Sequence, residues 1–441
     1  MSRKIFISFL GTGGYSNGHY SHENFKSPET RFIQVATLQY INDHISKWQP
    51  GDKAVILLTK DAEKRNWEDY GAKDKDGYYY RGLKGRLEDL NYPISITPIR
   101  DVPTGGNENE ILDIFSLLFK SIDDGDQLYI DVTHGFRSLP MLVIVFGNYA
   151  KFLKKDLYVK SITYGAYEAR KGNVSPIVDL QVLSSLQDWT FAAADYLENG
   201  NAGRLASLAQ ENVKPLLVSS QGKDKEAQAI KALAEKLKNA TDDMLTCRGM
   251  NIINGTNIYD LQRSLSEIKK SFIPQLNPLL KKIEHNFSNF TPAKNILNGI
   301  EAAQWCVDNA MYQQAATLLQ ETVVSFFSSR HGIAIDDEEN RGLINIALNI
   351  IAEGKQVKLD EWKVDENKKE TLKHIIETDS LMHNAEIVSA FSSLTDVRND
   401  MNHSGMRSTH QPMKPSKIKT RVNTALKVLS EILLNHGSEE D

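Results

Sequence analysis

Near the end of the chain stands Asp396-Val397-Arg398-Asn399-Asp400-Met401-Asn402-His403-Ser404-Gly405. A guanidinium and an imidazole five residues apart, with an amide beside the first, suit cleavage of RNA by its own neighbouring 2′-hydroxyl. Arg398 would neutralise charge building on the phosphorane oxygens. Imidazole is the side chain suited to moving protons near neutral pH, which is the role open to His403. Asn399 would orient either the phosphate or the histidine. The scheme needs no metal. On a regular helix, at ~100° per residue, positions five apart lie about 140° from each other. The pair would meet only if the helix ends near His403, as Ser404-Gly405 suggests, or if two copies face each other across a twofold axis. Alone, the spacing is common and equally fits an ordinary helix end.

A second group of residues lies in the first third. Gly11-Thr12-Gly13-Gly14 follows an apolar run and could bring backbone N–H groups close to a phosphate or a ring. It is not a dinucleotide fingerprint, because the third glycine is replaced by Ser16 and a polar stretch to Ser27 follows instead of a helix. A plain tight turn reads equally well there. Further on, Asp131-Val132-Thr133-His134-Gly135-Phe136-Arg137-Ser138 gathers a hydroxyl, an imidazole, a glycine and a guanidinium where a helix should start. Such groups bind phosphate and sugar oxygens, and the helix end adds partial positive charge. A capped turn at Ser138 is the plainer reading. In Pro103-Thr104-Gly105-Gly106-Asn107-Glu108, Asn107 either lines the same rim or only caps the next helix. His19, His22 and Glu23 come from one short loop and suggest a polar lid in preference to a metal site.

Short apolar runs alternating with helical stretches must position the front group. Strands are expected at Ile5 to Leu10, Ala54 to Thr59, Ile94 to Ile99 and Leu128 to Thr133. Val159 to Tyr164 and Val174 to Leu180 should form a closing pair around Lys171-Gly172-Asn173. Helices are expected from Pro28 through Trp48, at Arg81 to Leu90, at Glu108 to Phe119 and from Ser138 to Leu153. This order predicts an α/β, Rossmann-like N-terminal domain with a mostly parallel sheet, whose ligands sit beyond the carboxyl ends of the strands. After residue 180 strand-like runs nearly vanish. AIKALAEKLKNA (229–240), YDLQRSLSEIKKSF (259–272) and NAMYQQAATLLQETVVSFF (309–327) have helical spacing. The expected division is 1–180, an all-α connector or insert over 181–295, and an all-α domain over 296–441. The acidic run 336–340 reads as a solvated loop.

Composition bounds the function classes. The chain has 441 residues, 41% of them hydrophobic and 25% charged, which excludes disorder and fits two or three globular domains. A net charge of −5 argues against a DNA-coating protein and leaves room for a local basic patch that binds RNA. Two cysteines, Cys247 and Cys306, exclude a disulfide framework and a cysteine-rich zinc site, and suit a reducing cytoplasm. No apolar run approaches the ~20 residues that span a bilayer. The N-terminus reads as a first strand, not a signal peptide.

Taken together, the two clusters resemble a known arrangement. Asp131-Val132-Thr133-His134-Gly135-Phe136-Arg137 after a late strand, with Gly11-Thr12-Gly13 after the first, resembles the CARF domain of CRISPR-associated proteins. Arg398-Asn399 followed by His403 resembles the R-x-x-x-x-H motif of HEPN ribonucleases. The order CARF, helical connector, HEPN is similar to the ancillary RNases of type III systems. The resemblance implies an endoribonuclease of single-stranded RNA, switched on by a cyclic oligoadenylate in antiviral defence. The ring, preferably cyclic tetra-adenylate and next hexa-adenylate, would bind across a homodimer or multiple of dimers. It would contact Gly11, Thr12, Gly13, Asn107, Thr133, His134, Gly135, Phe136 and Arg137, though Phe136 equally suits a core position. Arg398, Asn399 and His403 of both subunits would form a composite cleft, with no metal and no cofactor beyond the activator. Glu321 falls where related helices often carry an acidic residue and is read as structural. A sensor without nuclease output is the alternative, and Thr133 and His134 would also suit degradation of the activator. A dehydrogenase is the weakest reading.

Overall fold

The computed structural model describes residues 2–73, 79–134, 139–268, 271–353, 364–406 and 411–437. The chain folds as two compact units, Met1–Asp188 and Trp189–Asp441.

The first unit contains ten strands: β1 (Lys4–Leu10), β2 (His19–His22), β3 (Phe25–Lys26), β4 (Lys53–Leu58), β5 (Tyr70–Lys73), β6 (Tyr79–Tyr80), β7 (Ser95–Ile99), β8 (Gln127–Asp131), β9 (Tyr158–Gly165) and β10 (Val174–Asp179). Eight form one sheet in the order β3-β2-β10-β9-β8-β1-β4-β7, and β5 pairs with β6 as a separate hairpin. β1 lies at the centre, parallel to β4 with Ile7 opposite Val55, and parallel to β8 with Ile7 opposite Ile130. β9 and β10 are antiparallel, as the closing-pair pattern requires. The fold is therefore the expected α/β, mostly parallel arrangement.

All seven residues of β1 are buried, because alternate side chains feed two different cores. Ile5, Ile7 and Phe9 join Val55, Leu128 and Ile130 on one face, under the helices Glu108–Lys120 and Leu139–Leu153. Phe6 and Leu10 join Ala54, Ile56 and Leu58 on the other, under Ile33–Tyr40 and Leu83–Glu88. Cover on both faces is what makes parallel strands read as unbroken apolar runs. With the strands parallel, the carboxyl ends of β1, β4 and β8 share one edge.

Two local expectations differ. Pro28 does not open a helix; the helix starts at Ile33 and continues into a π-helical turn, Ile41–Ile45. The polar stretch read as a lid forms β2 and β3, which extend the sheet beyond β10. Buried Tyr20 and Phe25 hold that ribbon to Ile33 and Ala36, an anchoring that alternation of only two apolar residues concealed.

The described residues of the second unit form helices and their connections. One hydrophobic cluster runs through it from Trp189 to Leu433, so the expected boundary between residues 295 and 296 falls inside a single compact unit. Its central helix, Tyr312–Arg330, is buried nearly all round. The helix Ala385–Asn402 packs against it and is capped by Asn384, whose side chain accepts from the N–H groups of Glu386 and Ile387. It ends where expected: Ser404 and Gly405 have φ of 53° and 70°. The acidic run 336–340 is loop only at Asp336 and Asp337 and becomes helical from Glu338. Asp337 caps the helix Glu338–Ala352, and Glu338 and Glu339 occupy its first turn, where carboxylates complement the dipole. Among the described residues, no helix is long and apolar enough to cross a membrane.

Candidate functional site

At the carboxyl edge of the sheet, a cleft of about 470 Å³ opens among Gly11, Thr12, Gly13, Thr59, Thr133 and His134. A smaller one of about 280 Å³ lies beside it, lined by Ser16, Arg31, Tyr164 and Tyr167. Tyr15, Thr133 and His134 border both. The structure thus brings the two glycine- and histidine-bearing loops together, as strand ends on one edge must be.

The groups at this rim have unequal freedom. Asp131, the last residue of β8, is fully buried, and burial pushes its carboxyl up to about 6. It accepts from the hydroxyls of Ser8 (2.7 Å) and Thr133 (2.5 Å) and from the Thr133 N–H. The Thr133 hydroxyl in turn accepts from Gly165 N–H at 2.7 Å. Thr133 therefore ties β8 to β9. Burial lowers the His134 imidazole to about 4, so it is neutral at physiological pH. Its ring lies 4.5 Å from that of Tyr15, and its Nε2 is buried with no hydrogen-bond partner among the described residues.

Glycine at position 11 has a steric cause. A Cβ there would meet the Tyr15 hydroxyl at 2.5 Å. The carbonyls of Gly11 and Gly13 accept from Asn66 Nδ2 at 2.9 and 3.0 Å, and Thr12 O accepts from Arg65 at 3.3 Å. Asn66 is buried and receives the Tyr80 hydroxyl at 2.7 Å. Sequence reasoning missed Tyr15, Arg31, Arg65 and Asn66; the only local signal was Tyr15 directly after two glycines. Asn107 caps the helix Glu108–Lys120, its Oδ1 accepting from Glu110 N–H, and its amide donates to the Glu110 carboxylate. Gly135, Phe136 and Arg137 lie outside the described residues. His19 and His22 each place Nδ1 at 2.9 Å from a backbone carbonyl, of Ser27 and Ile177 respectively.

The second site lies in the helical unit. Arg398 projects from Ala385–Asn402 toward Tyr312–Arg330, where Nη1 donates to Gln320 Oε1 (3.1 Å) and Glu321 Oε1 (3.2 Å). Arg341, from Glu338–Ala352, reaches the other oxygen of the same carboxylate at 3.0 Å. Glu321 is thus a bridge between two guanidiniums. Gln320 is held by donating to Thr395 at 3.1 Å. This bridge separates two clefts. One, of about 440 Å³, is lined by Asp336, Glu338 and Asn345; the other, of about 400 Å³, by Cys247, Arg248 and Thr317. Arg398 lines both. Asn399, next to it, is half-buried. His403 is exposed at the helix end and lines neither cleft. Arg341 and Arg248 were missed, since nothing in their local sequence marks them.

Residues 5–169 match the family model described as "CRISPR system endoribonuclease Csx1, CARF domain". Over 362 residues the chain is 22% identical to CRISPR-associated protein MJ1674 of Methanocaldococcus jannaschii, covering 73% of this chain and 53% of that protein. The chain thus spans about half the length of that curated relative. Among solved structures, Enterococcus italicus Csm6 bound to cyclic hexa-2′-fluoro-hexa-dAMP is 12% identical. The match covers 100% of this chain and 95% of that one at a TM-score of 0.44.

Proposed function

The first unit of this chain is a CARF domain of the CRISPR-associated kind, and from that premise we propose that the protein is a receptor for a cyclic oligoadenylate whose helical unit is an endoribonuclease of single-stranded RNA. The observation that carries the nuclease reading is Arg398, a half-buried guanidinium oriented by Glu321 and Gln320 and open to clefts on both sides. A cation so held can stabilise charge that develops on a phosphate in the transition state. His403 moves the proton and Asn399 orients the phosphate or the imidazole. Because His403 is exposed at its helix end, outside both clefts, the proposed arrangement is a composite groove in which His403 of one copy serves Arg398 of another. The reaction proceeds by 2′-hydroxyl attack and uses no metal. The activator is cyclic tetra-adenylate, with hexa-adenylate second, held across a homodimer or a multiple of dimers. It biases the equilibrium between idle and cutting states only by its differential affinity for them; moving 1:99 to 99:1 takes ~5.5 kcal/mol.

RNA cleavage measured in EDTA, with and without the ring, for wild type and His403→Ala, tests this reading. The expected result is ring-dependent cutting by wild type alone; equal cutting by the variant removes His403 from the mechanism. The exposed position of His403 also favours a second reading, a sensor without nuclease output, which predicts ring binding and no RNA turnover under any ligand. Degradation of the activator at Thr133 and His134 is disfavoured, because the Thr133 hydroxyl is committed to Asp131 and Gly165. Incubating ring with protein and finding linear products would reinstate it.

A further inference from the structure

Tyr15 packs edge-on against Phe32, with 5.7 Å between ring centroids, and lies against His134; this packing leaves hydrogen bonding incomplete. The Tyr15 and His134 rings meet at 4.5 Å with a 35° tilt, where the two clefts adjoin. Buried polar atoms normally find partners. Here neither His134 Nε2 nor the buried Tyr15 hydroxyl has one among the described residues. Both atoms are covered in this state, on residues that border the two clefts, and would meet a ligand's donors and acceptors once the Tyr15 ring moved.

The two residues are mounted differently. His134 follows Asp131 and Thr133, which are locked to β1 and β9 by the bonds described above. Tyr15 sits on the irregular segment between β1 and β2, directly after Gly13 and Gly14. Neither glycine is needed for packing in this state. A Cβ at Gly14 would meet nothing within 4 Å, one at Gly13 would make only ordinary contact with Tyr15 itself, and neither residue has positive φ. Their backbone freedom leaves the Tyr15 ring able to take another position.

We propose that Tyr15 is a specificity-determining residue that swings off Gly11 and His134 to stack on a nucleobase of the bound ring, while the uncovered Nε2 of His134 hydrogen-bonds that base. This rests on the ring-receptor reading and adds to it the element that reads the base instead of the phosphate. A planar base needs its own layer between rings now in contact, so Tyr15 must move while His134 stays. Once the ring has moved, the clefts on either side join into one trough along the strand ends. Neutral imidazole suits the role, because it bonds a base without demanding a charge.

Calorimetry on the full chain with cyclic tetra-adenylate, cyclic hexa-adenylate and a cyclic oligouridylate of matching size tests the proposal. The variants are Tyr15→Phe, which keeps the stacking face, and Tyr15→Leu, which fills the space without one. Thermal unfolding confirms that each is folded. Tyr15→Phe should bind the preferred ring within about threefold of wild type, whereas Tyr15→Leu should lose on the order of 10-fold or more, the range of base–aromatic stacking. Tyr15→Leu should also lose most of the discrimination between adenylate and uridylate rings. Wild-type affinity and discrimination in folded Tyr15→Leu would overturn the assignment while leaving the receptor reading intact. Failure of wild type to bind any ring would remove the receptor reading, and this one with it.

Discussion

Under the proposed function, the rim of the sheet and the cleft of the helical unit would each present polar groups to a phosphorylated ligand, and they are built in opposite ways. At the rim the important groups are fixed by their surroundings: a buried carboxyl raised to about 6, a neutral imidazole lowered to about 4, a hydroxyl tied between two strands. In the cleft they are ionised and half-exposed, with one carboxylate shared by two guanidiniums. A rim of this kind reads shape and hydrogen-bonding pattern and is set by backbone ladders. A cleft of this kind supplies charge and is set by side chains from three helices. The difference teaches that recognition and chemistry respond to different perturbations: the rim to volume and burial, the cleft to charge and to assembly.

The sharpest break of that comparison asks whether the cleft is complete in one subunit. Arg398→Ala and His403→Ala should each lower ring-stimulated RNA cleavage by about 100-fold or more, while ring affinity measured by calorimetry stays unchanged. Mixing the two inactive variants under conditions that exchange subunits should restore activity, because a mixed dimer recovers one Arg398 facing one His403. No recovery in exchanged dimers would mean that the pair works within one chain, after a rearrangement that brings His403 to the cleft.

A smaller effect should follow from Glu321→Gln. The glutamine still accepts a hydrogen bond but no longer balances Arg398 and Arg341. Cleavage should fall by roughly 10- to 100-fold through loss of orientation. Unfolding stability should change by only about 0–1 kcal/mol, since both partners of the Arg398–Glu321 pair are substantially open to solvent. Unchanged cleavage would make the bridge purely structural. At the rim, volume should matter in place of charge. Gly11→Ala pushes a methyl group into the Tyr15 hydroxyl, which must then give up its packing on Phe32 and His134, and should cost ~1–3 kcal/mol of stability. Gly14→Ala, facing open space, should cost less than ~1 kcal/mol in denaturant unfolding. Equal costs at the two positions would refute the steric account of Gly11.

The same contrast governs what the sequence disclosed. The run Lys4–Leu10 and its parallel neighbours were legible because burial on both faces leaves an unbroken apolar signature, and parallel strands then place Gly11–Gly13 and Thr133–His134 on one edge. What β2 and β3 do was hidden, because they are short, polar and anchored by only Tyr20 and Phe25. In the helical unit, the end of the Arg398 helix was marked by Ser404-Gly405. The partners of Arg398 were not marked, since Gln320, Glu321 and Arg341 are brought to it by tertiary packing across 57 to 78 positions of sequence. Glu321 carried an expectation only through the resemblance to other helices. The single hydrophobic cluster from Trp189 to Leu433 was equally invisible, because helical periodicity gives each helix a buried face without saying which neighbour covers it.

The least conspicuous effect is a pH signature that belongs to the rim alone. The carboxyl of Asp131 is raised from 3.8 to about 6 by burial, against the hydrogen bonds from Thr133 and Ser8 that favour its charged form. Between those two values the folded protein holds a proton at Asp131 that the unfolded chain has released. Stability from this group is therefore fully present below pH ~4 and is lost as pH rises through about 6. Asp131→Asn removes the titration. The amide oxygen can keep both Thr133 bonds while the Ser8 hydroxyl turns to Phe9 O and accepts from the NH₂, which adds a roughly constant cost of about 1 kcal/mol at every pH. His134, present in both proteins, contributes a slope of opposite sign that cancels in the difference. The melting temperature of Asp131→Asn relative to wild type should thus become steadily less unfavourable as pH rises from about 4 to about 6, then level off. A flat difference across that window would show that the hydrogen bonds outweigh burial and that Asp131 is already charged at the rim. A difference that worsens with pH would mean that the carboxylate is stabilised there, and that burial does not set the protonation of Asp131.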